Sequence, residues 1–167
     1  MNLPPLLSWS QPFVLERRFQ LHEGDNLFAE LVFAPSHNAI GTLMSVDKAP
    51  VTWTFNKAGL FVSKVHIRER GLHHDKAIYK AKFFGGGRLQ FLQGESFSWQ
   101  KTGYFGTEWS FISKEGEKVL VCRYPFAELL KMEGEVQVEG AWRGKKEVVV
   151  LVLLGWYLLV LDRQAGI

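Results

Sequence analysis

The chain has little cysteine: Cys122 stands alone among 167 residues. No intramolecular disulfide can form, and no cysteine cluster exists to hold zinc or an iron–sulfur centre. It has no large excess of either charge, with 20 Lys and Arg against 17 Asp and Glu. A net charge of +3 excludes a polycationic tail, so nucleic acid is not an expected partner, although a local basic patch is permitted. Address signals are missing too. Residues 1–12 lack the basic start and continuous apolar stretch of a secretory signal, Asn2 stands where acylation needs Gly, and there is neither a prenylation box nor an Asn-x-Ser/Thr sequon. With one free thiol, these absences lead us to expect a reducing cytoplasm. Catalytic signatures are equally scarce: there is no Gly-x-Ser-x-Gly elbow, no His-Glu-x-x-His and no phosphate loop. No catalytic residue and no cofactor is therefore assigned.

What the chain does have is aromatic rings and glycine. Thirteen Phe, 6 Trp and 4 Tyr accompany 16 Gly, and 47% of residues are hydrophobic, which is β-rich in character and too apolar for disorder. From Phe13 to Glu139 the apolar residues alternate. Val51, Trp53 and Phe55 do so, as do Phe61, Val65 and Ile67, then Leu89 and Phe91, Phe97 and Trp99, Trp109 and Phe111, and Val136 and Val138. A period of two puts one face of each strand in a core. Gly-rich punctuation at 57–59, 85–87, 94, 103–106 and 115–116 supplies hairpin turns. Residues 13–139 hold about a dozen strands at roughly 8–12 residues per strand and turn. Only 125–130 interrupts, as a turn with at most one helical turn. A closed antiparallel barrel suits this count because closure leaves no edge strand unpaired.

The one long hydrophobic run is Val148–Leu161, 14 residues without a charge. At about 1.5 Å per residue it reaches about 21 Å, short of a bilayer core of roughly 30 Å. As a single strand it would stretch about 46 Å, and Gly155 alone offers no two-residue turn for a hairpin. A helix apolar on every side must be buried on every side, and a barrel of a dozen strands is wide enough to need a filling. We therefore place a buried helix at about 146–162, with a membrane tail as the alternative. Residues 1–12 read as an N-terminal extension, 13–163 as one barrel domain and 164–167 as a tail. The expected protein is soluble without detergent and monomer-competent.

The Trp53–Phe55 strand, the Gly-rich hairpin, the Glu108–Phe111 strand (Glu-Trp-x-Phe) and the apolar C-terminal helix together resemble the tubby C-terminal-like superfamily. That group contains the tubby domain, the phospholipid scramblases and the LURP-one-related plant proteins. The resemblance spans about residues 13–163 and rests on element order, barrel first and helix last. It implies a 12-stranded barrel around a central helix, and no single biochemistry. The scramblases carry an acidic calcium segment before their last helix. Here Glu139–Glu147 has two carboxylates and three basic residues, a poor match for a cation that wants six to eight oxygens.

Among candidate sites, Gly85–Gly87 reads as a turn. His73, His74 and Asp75 read as loop residues lacking a third metal partner. Cys122 lies in a strand pattern and reads as a buried thiol. The functional candidate is a basic stripe. Lys64, His66, Arg68 and Arg70 share the face opposite Phe61, Val65 and Ile67, and Lys76, Ile78, Lys80 and Lys82 share the face opposite Ala77, Tyr79 and Phe83. Antiparallel pairing would set six Lys and Arg together on the outer wall, relieved only by Glu69 and Asp75. Such crowding of like charge costs stability unless an anion offsets it. Tubby domains bind phosphoinositide head groups through basic residues in this part of the barrel, so the resemblance implies the same use. The expectation is a non-enzymatic module that recognises anionic lipid head groups or phosphorylated ligands at a membrane surface, peripheral and not transmembrane. The alternatives are a scaffold protein using the barrel for shape alone, or a lipid-acting enzyme, which would need a deep polar pocket around carboxylates such as Glu95 or Glu108.

Overall fold

Short alternating strands joined by tight turns can pair only with their sequence neighbours, and a meander of this kind closes when its last strand meets its first. The computed structural model describes residues 1–45, 48–60, 63–125 and 130–165. In it, strands β1 (Leu6–Ser10), β2 (Arg18–Glu23), β3 (Asn26–Phe33), β4 (Ala39–Leu43), β5 (Val51–Ala58) and β6 (Lys64–Glu69) form one half of the wall. Strands β7 (Ala77–Ala81), β8 (Gly87–Phe91), β9 (Ser96–Lys101), β10 (Glu108–Ser113), β11 (Lys118–Arg123) and β12 (Gly134–Val138) form the other. Each pairs antiparallel with the next, and β12 pairs with β1, so the sheet is a closed barrel. The alternation expected from the sequence sets the faces: Phe55, Ile67, Leu89, Phe111 and Val136 are fully buried and point into the lumen.

The barrel begins earlier than expected. Residues 1–12 are not an extension, because β1 is the closing strand, with Leu7 paired to Val136 on one side and Trp9 to Leu21 on the other. Leu7 and Trp9 are buried while Leu6 is exposed, the same period of two on a smaller scale. Phe83 is also misplaced by the sequence reading. The strand ends at Ala81, the Lys82 N–H donates to the Gly86 carbonyl to turn the chain, and Phe83 stands in the loop, exposed. Phe61 and most of the 125–130 interruption lie outside the described residues.

Helix α1 (Glu147–Ala165) runs through the lumen. It is 19 residues long, so by length and hydropathy it could cross a membrane, yet 67% of its most apolar window is buried inside the barrel. Burial, and not shortness, marks it as the filling. Glu147 in its first turn and Arg163 in its last complement the helix dipole. Its C-terminus passes the expected residue 162, and at the rim Arg17 Nη2 donates to Gln164 Oε1, 2.9 Å away.

The helix is held by rings. Trp156 stacks on Trp9 at 5.4 Å and meets Phe19 edge-on at 6.2 Å, while Tyr157 lies between Phe33 and Phe55 at 5.4 Å from each. The Tyr157 hydroxyl donates to the His37 carbonyl at 2.7 Å, giving its polar end a partner at the barrel mouth. Wall glycine makes room for the largest of these groups: a Cβ at Gly134 would come within 2.8 Å of the Trp156 ring. At the opposite mouth, the Leu3 N–H donates to the Arg143 carbonyl at 2.8 Å. Trp142 meets Phe97 edge-on at 5.6 Å, and the 139–146 segment thus caps the start of the helix.

Candidate anion-binding surface

The register across β6, β7 and β8 decides what the basic stripe becomes. Lys64 pairs with Lys80, and Lys80 pairs with Arg88. Three cations therefore stand in one row on the outer wall, one per strand, at the inter-strand spacing of about 4.8 Å. All three are exposed, and among the described residues none has a carboxylate partner. Arg88 has one neutral contact, donating from Nη2 to Ser96 Oγ at 3.4 Å. Lys82 follows in the β7–β8 loop, also exposed and without an acid.

The rest of the expected stripe is different. Arg68 Nη2 lies 3.1 Å from Asp75 Oδ1, and the His66 ring meets the other oxygen, with Nδ1 2.7 Å from Oδ2. Lys76 Nζ lies 3.0 Å from Glu69 Oε2. Arg70 sits just beyond β6, exposed, near the far end of the barrel, its N–H donating to the Thr52 carbonyl. Of the six residues expected to act together, Lys64, Lys80 and Lys82 share one stretch of wall, whereas Arg68 and Lys76 are neutralised by local carboxylates and Arg70 is apart from both.

Asp75 is not the freely solvated loop residue the sequence suggests. Its bond to His66 above all, with Arg68 adding to it, holds the carboxyl below its ordinary value of 3.8, against partial burial, which raises it.

Arg88 was not a sequence candidate. The signal was present: Leu89 and Phe91 point inward, so Arg88 must point outward, on the face already holding Lys80 across the hairpin. The triple glycine hides it, because Gly85–Gly87 reads as a turn whereas Gly87 is the first residue of β8. The hairpin geometry is strict. Gly86 has φ of 69°, and a Cβ there would run into the Trp99 carbonyl.

Elsewhere the chemistry is sparse. Among the described residues no group of three His, Cys, Asp or Glu could hold a metal ion. Cys122 is fully buried, and burial pushes its thiol upward, away from the reactive thiolate. In the segment 139–147, Lys145 Nζ lies 3.8 Å over the Trp142 ring. Glu108 is engaged by Arg123 Nε at 2.9 Å, and Glu95 lines an outer cleft of about 370 Å³ with His74 and Lys76. Another outer cleft, of about 480 Å³, is lined by Arg123, Glu133 and Glu135. No family model, curated protein or solved structure matches this chain.

Proposed function

We propose that this protein is a non-enzymatic binding module for phosphate-bearing anionic head groups, acting peripherally at a cytoplasmic membrane surface. The observation that carries the proposal is the uncompensated row Lys64–Lys80–Arg88. Like charges directly across a sheet repel, and nearby Arg68 on β6 and Lys76 just before β7 each have a carboxylate partner. Lys64, Lys80 and Arg88, left without a carboxylate among the described residues while Arg68 and Lys76 each have one, suit a ligand that supplies the missing negative charge. Lys80 and Arg88 stand side by side, and an Arg fork beside a Lys point charge is well matched to phosphate oxygens. The reading includes kinship with the tubby C-terminal-like superfamily, supported by the strand number and the lumenal helix.

The test is co-sedimentation with vesicles of phosphatidylcholine alone and with added phosphatidylserine or phosphoinositide, at low and high salt. Each Lys or Arg near an anionic surface contributes about 1 kcal/mol, so K64Q/K80Q/R88Q should weaken binding on the order of a hundredfold. R68Q/K76Q should change it little. Equal losses from both variants, or binding indifferent to lipid charge and salt, would contradict the reading and favour a scaffold role.

A further inference from the structure

In an antiparallel barrel every second loop falls at the same end, and here the two ends differ. The β5–β6, β7–β8 and β9–β10 loops share the end where the helix terminates. Leu60, Phe83, Phe84, Tyr104 and Phe105 occupy these loops, each between 86% and 103% exposed. Leu15 and Leu130 continue the ring on the β1–β2 and β11–β12 loops, at 97% and 76%. The five interstrand loops of the opposite end offer, among the described residues, only Leu72 and Leu92 as exposed large apolar side chains. The exposed large apolar side chains of the loops are thus concentrated at one pole.

We propose that this crown of loop tips enters the interfacial layer of an anionic bilayer, so that the barrel stands end-on with its helix C-terminus toward the lipid. The inference rests on the head-group reading above and names the part of the molecule that leaves water. Two features favour a bilayer over a protein partner. The first is shape: the rings project from separate hairpins, Phe83 packing only on Phe84 at 5.2 Å among ring contacts, so a protein would need several separate pockets while a lipid interface accepts each tip independently. The second is charge. Residues 59–63, 82–86 and 102–107 contain no Asp or Glu, whereas Lys64, Lys82 and Lys101 stand at the feet of the three hairpins and the Lys80–Arg88 pair lies just below. Aromatic tips above a collar of cations match a layer that is apolar inside and anionic at its surface. The basic row would then lie at head-group level when the tips are inserted, which gives both features one ligand.

The test uses the full chain, whose native thiol is buried, with single cysteines introduced by Phe84→Cys, Phe105→Cys or, at the opposite pole, Leu92→Cys, each carrying an environment-sensitive fluorophore. With vesicles containing phosphatidylserine, the labels at 84 and 105 should shift to shorter wavelength and be quenched by nitroxide lipids at shallow depth, while that at 92 stays in water. F83S/F84S/Y104S/F105S should weaken vesicle binding roughly tenfold or more, with its melting temperature unchanged because these side chains support no core. If the protein sediments with the vesicles while every label stays in water, the crown proposal is overturned and the head-group reading survives. If it does not sediment at low salt, both fall. A spectral shift at 84 or 105 that grows with protein concentration without vesicles would assign the crown to a second copy and overturn the proposal.

Discussion

Gly155 on the central helix faces Cys122 on β11 so closely that a Cβ at Gly155 would lie 3.1 Å from the cysteine sulfur and 3.3 Å from the Trp99 ring. The helix touches its wall there at backbone distance. A glycine in a helix interior ordinarily costs about 1 kcal/mol relative to alanine, so its presence here reflects space and not propensity. Gly155→Leu should overpack the lumen and destabilise the protein by about 1–3 kcal/mol, read as a lower denaturant midpoint. Wild-type Cys122 should resist thiol reagents until the chain unfolds. Fast labelling of the native protein would mean that helix and wall are not in this contact.

The closing strand gives a second expectation. Without residues 1–10, β2 and β12 lose their common neighbour and expose two unpaired edges. Leu7 and Trp9 would leave the core with them. The shortened chain should lose cooperative melting and associate, as seen by circular dichroism and size-exclusion chromatography. A monomer melting like the full chain would show that β1 is dispensable.

Most of the wall was legible because a half-buried strand writes its register as alternation, and β5 through β8 carry it most cleanly. β1 was not, since the six residues between Pro4-Pro5 and Pro12 hold only two inward apolar side chains, Leu7 and Trp9, and the partner β12 lies at the far end of the chain. The helix was legible from an apolar run too uniform for any half-exposed element. The site was legible in part. Outward cations follow from period two, which is local, but the contacts of Asp75 with His66 and Arg68 depend on the path of the β6–β7 connection. Which cations remain bare is therefore decided by loop geometry that no periodicity encodes.

Asp75 gives a dependence on pH. Its carboxyl is held below the ordinary 3.8 in the folded protein, so the unfolded chain takes up its proton first on acidification. The stabilisation is complete above the ordinary carboxylate value and is lost as pH falls through the lowered one. The difference in denaturation midpoint between the wild type and Asp75→Asn should shrink as pH falls below about 4. A difference that persists unchanged in acid would mean that the carboxylate charge plays no part.

The central claim is that the apolar helix is the filling of the barrel, which leaves recognition to the outside. Each Leu or Val buried there contributes roughly 1.5–3 kcal/mol, and together they exceed the usual net stability of about 5–15 kcal/mol. Leu154, fully buried, tests one point of it: Leu154→Asp would strand a carboxylate without a partner and should unfold much of the population. The most direct measurement is the thermal unfolding of the 1–144 fragment by circular dichroism, beside its solubility. An insoluble or molten fragment with no cooperative transition is the expected result. A soluble 1–144 that melts cooperatively would contradict it, and would make the helix an appendage to a barrel that stands without it.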